Sequence, residues 1–580
     1  MEISAKRGRL DEPLERRPTK IQTKASESRT ATMQSDPDAK PEVTLHPLAS
    51  QDGVLVKVNP PKGPTQLKTA HVPCDIVLVI DVSGSMRALA PATETDAAGN
   101  ERDENTGCTV LDIVKHAALT IMHTLDEHDR LGLVTFSSGV KVLQQLLPMT
   151  EANKKQTDRV ICGLATEGGT NLWRGLQRGL QLFDAESDSG KVPALMLLTD
   201  GEPNQGPILS DLGDKSDTST SHPREGYAQA LRARGSMPTS IYAFGFGEDI
   251  MSSLLSEIAD VGTGYYGFIP NSNMVCTVMV NAVAHLQSTF AIKCCLDIEV
   301  VQVEKLELST GLAMGMTRGN HPNGRHWSVP LGNIQYGQSR DIYLRFNQKA
   351  NKNCMINTQL TYSDGTGAKS VEGPNDVPVT QAVTLSDDEI AYHRNRDLVC
   401  RLVIRLCLRG TEDYIGGFDE LGKRDRKSWY GLLTEKNTAG SHNDEQNRSL
   451  NQDVEGRIKQ AVHSGDGEWN SWGKHYLLSL WAAHAKQLRT TFLDPGVQLY
   501  DAGSPLFLQC QARLMKAFEE EVVPPRPSRA AEADPEYVSG SKTLSMQSYS
   551  GRTLQYSNNP YSTSKSRGIQ QDYDFLDDFP

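Results

Sequence analysis

Between Cys74 and Ser288, short apolar runs alternate with stretches of helical periodicity, and that alternation admits few folds. Asp75–Ile80, Ala194–Leu198 and Thr239–Phe244 are largely apolar over the length of one strand, as strands buried on both faces must be. Leu111, Val114, Ala118, Ile121 and Leu125 recur at helical spacing. So do Leu172, Leu176, Leu180 and Phe183, and so do Val275, Val278, Ala282 and Leu286 within Met274–Gln287. Leu131–Phe136 and Val140–Leu146 add two strands around the hairpin-like turn Ser137-Ser138-Gly139. The pattern predicts an α/β, Rossmann-like domain over residues 73–288, its mostly parallel sheet covered by helices on both sides.

In such a sheet, ligands gather beyond the carboxyl ends of the strands. The sequence places Asp81-Val82-Ser83-Gly84-Ser85 there, with three oxygen-bearing side chains in one tight loop. Gly168-Gly169-Thr170-Asn171 before a helix and Thr199-Asp200-Gly201 at a strand end bring more oxygen, and the glycines permit tight turns. Either Asp or Ser alone is ordinary loop chemistry, since both favour Asx turns and N-caps. The conjunction of the three motifs, in order and at element ends, carries the reading. The candidate metal ligands are Asp81, Ser83, Ser85, Thr170 and Asp200. Two carboxylates and three hydroxyls, without His or Cys, suit a hard cation, Mg²⁺ first and Mn²⁺ or Ca²⁺ as alternatives. Only two negative charges come from the protein, so a bound dication stays partly uncompensated and attracts a carboxylate from a partner.

On these residues the region resembles a von Willebrand factor A (VWA) domain with a metal-ion-dependent adhesion site, over about 210 residues. The resemblance implies Ser83, Ser85 and Thr170 as direct ligands, with Asp81 and Asp200 bound directly or through water. In the family pattern a helix follows the D-x-S-x-S loop almost at once. Here the acidic insertion Arg87–Cys108 intervenes, able to screen the site or add selectivity. Trp469-Asn470-Ser471-Trp472-Gly473-Lys474-His475-Tyr476 through Phe492-Leu493-Asp494-Pro495-Gly496 is similar to the C-terminal Vwaint region of fungal intracellular VWA proteins. The overall order is also similar to plant VWA proteins with a RING finger that act as ubiquitin ligases. A RING cysteine array is absent, so ligase activity is not implied. Nor is there a Cys opening a β-rich block that ends in His-Asn, as an intein-like autoprocessing domain would need. His475 and His484, nine apart on an apolar helix, read as packed side chains rather than metal ligands.

The flanks read differently. Residues 289–384 alternate at period two (Leu296–Val301, Lys305–Leu308, Ile342–Phe346, Ile356–Tyr362) and predict an antiparallel, β-sandwich-like domain. Residues 43–72 carry Val54–Val58, a strand expected to join that later unit, which would make the α/β domain an insertion. Residues 385–523 read as an α-helical, Vwaint-like region, opened by a capping box at Ser386-Asp387-Asp388-Glu389. Its further helices are expected at Trp472–Arg489 and Pro505–Phe518. Residues 1–42 lack Val, Phe, Tyr and Trp, and residues 524–580 are rich in Ser, Tyr, Asn and Gln; both are expected to be disordered tails. They dilute the apolar share, which is roughly 43% with glycine counted and tyrosine left out, below the ~45–50% of ordinary domains.

The net charge of −12 argues against general affinity for nucleic acid. No run approaches the ~18 apolar residues of a membrane helix, and Met1–Lys20 has no signal-peptide core. Ten cysteines without a C-x-x-C pair suggest a reducing compartment, hence a cytoplasmic address. Lys6-Arg7-Gly8-Arg9 and Lys423-Arg424-Asp425-Arg426-Lys427 leave the nucleus open, although solvated surface is the plainer reading. No phosphate loop, G-x-S-x-G elbow or second Asp two residues after Asp81 supports catalysis.

The expectation is therefore a non-enzymatic, divalent-cation-dependent adaptor that captures an acidic residue of a protein partner, with a ubiquitin-pathway role as an extension. A metal-dependent hydrolase at the same site and a scaffold with a vestigial site are the alternatives. The stretch Asp572–Phe579 interleaves acids with aromatics. It is open between a docking segment, a solubilising tail and an internal ligand for the metal position.

Overall fold

The computed structural model describes residues 40–521 apart from 65–68, 91–92, 96–100, 104–107, 185–189, 202, 205–222, 271–273, 302–305, 322–323, 352, 366, 382–384, 409–424, 437–443 and 491–493. Almost all of the two tail segments, the basic clusters within 6–9 and 423–424, and the stretch 572–579 lie outside the described residues.

Six strands form the sheet of the α/β domain, in the order Thr263–Ile269, Ser240–Phe246, Val192–Thr199, Cys74–Asp81, Arg130–Phe136, Val140–Pro148. All neighbours are parallel except the last pair, which the Ser137-Ser138-Gly139 turn makes antiparallel. Cys74–Asp81 is buried along its whole length, which is why its sequence does not alternate. It also sits where the strand order reverses, with Arg130–Phe136 on one side and Val192–Thr199 on the other. Its carboxyl end therefore opens into the switch-point crevice where α/β sheets bind ligands. Helices Val110–Thr124, Leu172–Asp184 and Val275–Gln287 cover the sheet where the apolar periodicity placed them. Glu151–Cys162, a largely polar helix with only Thr157 and Ile161 buried, is an addition that hydrophobic periodicity does not reveal.

Gly53–Asn59 pairs antiparallel with Arg340–Phe346, in a sheet that also holds Glu42–Pro47 and Leu308–Ser309. The segment before the α/β domain thus joins the β structure that follows it. The second antiparallel sheet runs in the order Thr317–His321, Gly324–Gln335, Thr289–Val301, Met355–Ser363, Ala368–Glu372. Gly324–Gln335 is a long central strand that sequence reading passes over, because Pro330 and Gly332 interrupt it. Both fall where the ladder with Thr289–Val301 shifts register, so Pro330 breaks no regular pairing and Gly332 adopts φ 73°.

In the helical region, Asp387–Cys407 begins with Ser386 capping the Glu389 amide at 3.2 Å, but the expected reciprocal half of the box is replaced: the Glu389 carboxylate pairs with Lys57 of the β unit. The expected helix Trp472–Arg489 is a π-turn, Trp469–Gly473, followed by Lys474–Lys486, which ends at Gln487 in the left-handed region (φ 46°). This helix covers the open side of edge strand Thr263–Ile269, where the Phe268 amide donates to Ser479 Oγ at 3.1 Å. His475 and His484 are fully buried and project from opposite sides of it. His475 accepts from Ser252 through Nδ1 (2.7 Å) and meets the Glu248 carbonyl through Nε2 (3.1 Å), while His484 Nδ1 meets the Tyr500 hydroxyl (2.9 Å). Burial lowers His475 to about 4, so it packs as a neutral ring joining two domains. Pro505–Glu521 lies along both Val110–Thr124 and Val275–Gln287. Among the described residues no helix is long and apolar enough to cross a membrane, and the ten cysteines carry free thiols.

Candidate metal centre

The three motif loops converge at the carboxyl edge of Cys74–Asp81. The Gly84 amide donates to the Gly168 carbonyl at 2.9 Å, locking the first loop to the second. Gly201 lies so close to the first loop that a Cβ there would stand 3.3 Å from Ser85 Oγ. Within this frame the Ser83 amide donates to Asp81 Oδ1 at 2.8 Å, an Asx-type turn that fixes the carboxylate. The Ser83 and Ser85 hydroxyls are 3.0 Å apart, and Ser85 donates to Asp200 Oδ1 at 2.9 Å. Four of the five candidates are thus linked in one hydrogen-bonded chain: the oxygens of Ser83, Ser85 and Asp200 touch in turn, and the Ser83 amide ties Asp81 to them. Thr170 is 5% exposed and is held by its backbone, giving its amide to Asn204 Oδ1 and its carbonyl to the Asn204 amide, both at 3.1 Å.

Electrostatics distinguishes this cluster from a solvated loop. Asp81 is 0% and Asp200 is 7% exposed. Burial raises the Asp81 carboxyl, opposed by hydrogen bonds from Thr199 and Ser83. Burial, and then the like charge of Asp81, push Asp200 up to about 7. The hydrogen bonds to these two carboxylates come from hydroxyls and amides, which stabilise charge without neutralising it. A hard, oxygen-seeking dication would supply the missing countercharge, so the donor set fits Mg²⁺, Mn²⁺ or Ca²⁺.

Sequence reading missed the supports. Thr199 Oγ1 donates to Asp81 Oδ2 at 2.6 Å, and Ser138 Oγ accepts from the Gly169 amide at 2.8 Å. Thr199 was visible as the first residue of the T-D-G motif; Ser138 and Asn204 act through loops whose meeting no local pattern encodes. Of the acidic insertion, Thr93–Thr95 and Glu101–Asp103 pair as a short antiparallel ribbon. On the rim beside Ser85, exposed Arg87 donates to Thr166 Oγ1 at 2.9 Å, and Leu89 is 48% exposed.

A second cluster was not anticipated. His71, Asp126 and Asp129 bring ligand-type atoms within 4.8 Å of one another. Asp129 accepts from His71 Nε2 (2.7 Å), the Cys74 amide (2.8 Å) and the Asp126 amide (3.0 Å). His71 Nδ1, the remaining ring nitrogen, accepts from the Arg513 guanidinium at 2.8 Å, and Arg513 also donates to Gln287. A cation placed here would have to displace that guanidinium. The cluster is a polar strut tying the α/β domain to the last described helix.

A doubly wound sheet with one antiparallel edge carries an oxygen-only cluster, a candidate cation site, at its switch point. The comparisons with known proteins make the class specific: the chain carries a von Willebrand factor type A domain, with that family's model matching residues 76–202, while residues 444–516 match the region described as VWA / Hh protein intein-like. Among curated relatives it is similar to bovine (Bos taurus) inter-alpha-trypsin inhibitor heavy chain H4, 24% identical over 203 residues, 34% of this chain and 18% of that one. Heavy chain H1 of Mesocricetus auratus is 27% identical over 197 residues, 33% of this chain and 18% of that one. The chain therefore spans about a fifth of the length of these relatives. Among solved structures, a von Willebrand factor type A protein from Catenulispora acidiphila matches 72% of this chain and 91% of its own, at 17% identity and a TM-score of 0.46. The ArnB paralog VWA2 from Sulfolobus acidocaldarius matches 77% and 99%, at 13% identity and a TM-score of 0.44.

Proposed function

We propose that this protein is a divalent-cation-dependent binding adaptor and not an enzyme. The observation that carries the reading is the hydrogen-bonded chain from buried Asp81 through Ser83 and the hydroxyl of exposed Ser85 to buried Asp200 at the sheet's switch point. Asp81, Ser83, Ser85, Thr170 and Asp200 would hold the cation. The cation, Mg²⁺ by preference, would supply a hard, partly uncompensated positive charge at the rim. This chain's residues do the rest: Thr199 and the Ser83 amide orient Asp81, Asn204 fixes the Thr170 loop, and Arg87 adds positive charge beside the opening. The ligand suited to such a site is a carboxylate on a protein partner. Metal-dependent protein–protein interaction is common among VWA domains, which supports the reading. A role in the ubiquitin pathway and a cytoplasmic or nuclear address are extensions of the same proposal.

Calorimetric titration of Mg²⁺ into the chain tests it. Saturable binding is expected, and Asp200→Ala should abolish it. Partners captured in Mg²⁺ should be lost both in EDTA and with Asp200→Ala; an unaltered chain that gives no binding signal would sink the metal reading.

A further inference from the structure

Helix Pro505–Glu521 has a direction that bears on the metal site. Its Arg513 meets His71 in the cluster with Asp126 and Asp129, just beyond the C-terminal end of helix Val110–Thr124. Five residues later, Phe518 stacks edge-on against His116, nearer that helix's N-terminus, with ring centroids 5.0 Å apart. The same antiparallel course shows on the other neighbour: Gln511 meets Asn281, and Met515 meets Cys276, at the start of Val275–Gln287. Both neighbouring helices begin at the carboxyl edge of the sheet, and Val110 at the head of the first donates to the Ala88 carbonyl, three residues past Ser85. The last described helix therefore points its C-terminus at the rim of the metal centre. Glu521 lies about 5 Å beyond Phe518 along the axis, and the rim is about 9 Å from His116, at 1.5 Å per residue.

Roughly 50 residues separate Glu521 from Asp572, where the sequence reads Asp572-Tyr573-Asp574-Phe575-Leu576-Asp577-Asp578-Phe579. Ten extended residues already span about 33 Å, so reach is ample. The rim offers what such a segment needs. The cation position calls for a carboxylate, Arg87 is exposed beside it, and Leu89 is one of three exposed large apolar side chains among the described residues. An acid flanked by Phe and Leu matches a cation flanked by an arginine and an exposed leucine.

We propose that the segment Asp572–Phe579 is an internal ligand of the metal centre, one of its aspartates occupying the partner's position and Phe575, Leu576 or Phe579 covering Leu89. This rests on the metal-site reading above. Tethering gives the segment a high effective concentration, so an external partner would have to displace it.

The test uses the full chain with Asp572→Asn, Asp574→Asn, Asp577→Asn and Asp578→Asn combined, and a fluorescent peptide of residues Gln570–Pro580 as probe. In Mg²⁺ the probe should bind this variant at least tenfold more tightly than it binds the unaltered chain. Both EDTA and added Asp200→Ala should remove that binding. Equal affinity for the two chains, or binding indifferent to EDTA, overturns the proposal. Parallel Mg²⁺ calorimetry separates the two readings. If the variant binds Mg²⁺ but not the probe, the internal ligand fails and the metal site stands. If it binds no Mg²⁺, the metal reading fails and the internal ligand with it.

Discussion

Thr199 and Asp81 end neighbouring parallel strands, and the threonine hydroxyl donates to Asp81 Oδ2 at 2.6 Å while the Ser83 amide holds Oδ1. The sheet itself, by setting the register of two buried strands, thus aims a carboxylate at the crevice. Thr199→Val keeps the shape and removes the donor. Orienting partners of this kind are worth about 10- to 100-fold in metal affinity. Mg²⁺ should bind the variant by that factor more weakly in calorimetry, with little change in the fold by circular dichroism. Unchanged affinity would show that Asp81 needs no orientation.

Asn204 makes a parallel case on the neighbouring loop, where its side chain and amide both engage Thr170. Asn204→Ala should loosen that loop and weaken Mg²⁺ binding about tenfold, without touching any residue of the D-x-S-x-S turn.

The strut of His71, Asp129 and Arg513 makes a different prediction. Asp129 is 0% exposed and accepts three hydrogen bonds, so Asp129→Ala strands a buried ring and two amides and should cost about 3–5 kcal/mol in denaturant unfolding. If Arg513 rather than a cation completes the cluster, Zn²⁺ or EDTA added to the Asp200→Ala chain should leave the melting temperature unchanged. A Zn²⁺-induced rise in that background would make the strut a metal site after all.

How much of this was legible follows from the range of each interaction. Cys74–Asp81, Val192–Thr199 and the helix at Val110–Thr124 announce themselves because burial on two faces or one stripe leaves a local pattern. Asp81, Ser83, Ser85 and Asp200 were legible because each sits at an element end within a short motif. His71–Asp129, Asn204–Thr170 and Glu389–Lys57 were not, since each joins residues dozens to hundreds of positions apart through ordinary polar side chains. Gly324–Gln335 was hidden by Pro330 and Gly332, whose meaning emerges only with the bulge that contains them.

Gly332 also measures how closely the β unit sits on the α/β domain. It has φ 73°, and a Cβ built there would stand 2.3 Å from the Thr263 carbonyl oxygen at the start of the edge strand. Gly332→Ala meets both left-handed strain and rigid backbone, and should cost at least about 2 kcal/mol. A near-neutral melting temperature would mean that this contact opens readily.

Asp453 sets the last prediction, through pH. It is 1% exposed, with Oδ1 accepting from the Gly496 amide at 3.1 Å and Oδ2 3.3 Å from His484 Nε2. Burial lowers His484 to about 3, so the ring supplies no countercharge, and burial raises Asp453 to about 8. In the unfolded chain the carboxyl titrates near ~3.9. The folded state therefore holds a proton that the unfolded state releases across this window. Its contribution to stability is full below pH ~4 and is lost as pH rises toward 8. Asp453→Asn keeps a neutral side chain at every pH. Its melting temperature relative to the unaltered chain should climb steadily between pH 5 and 8; a gap that stays constant would mean that Asp453 is ionised in the fold throughout.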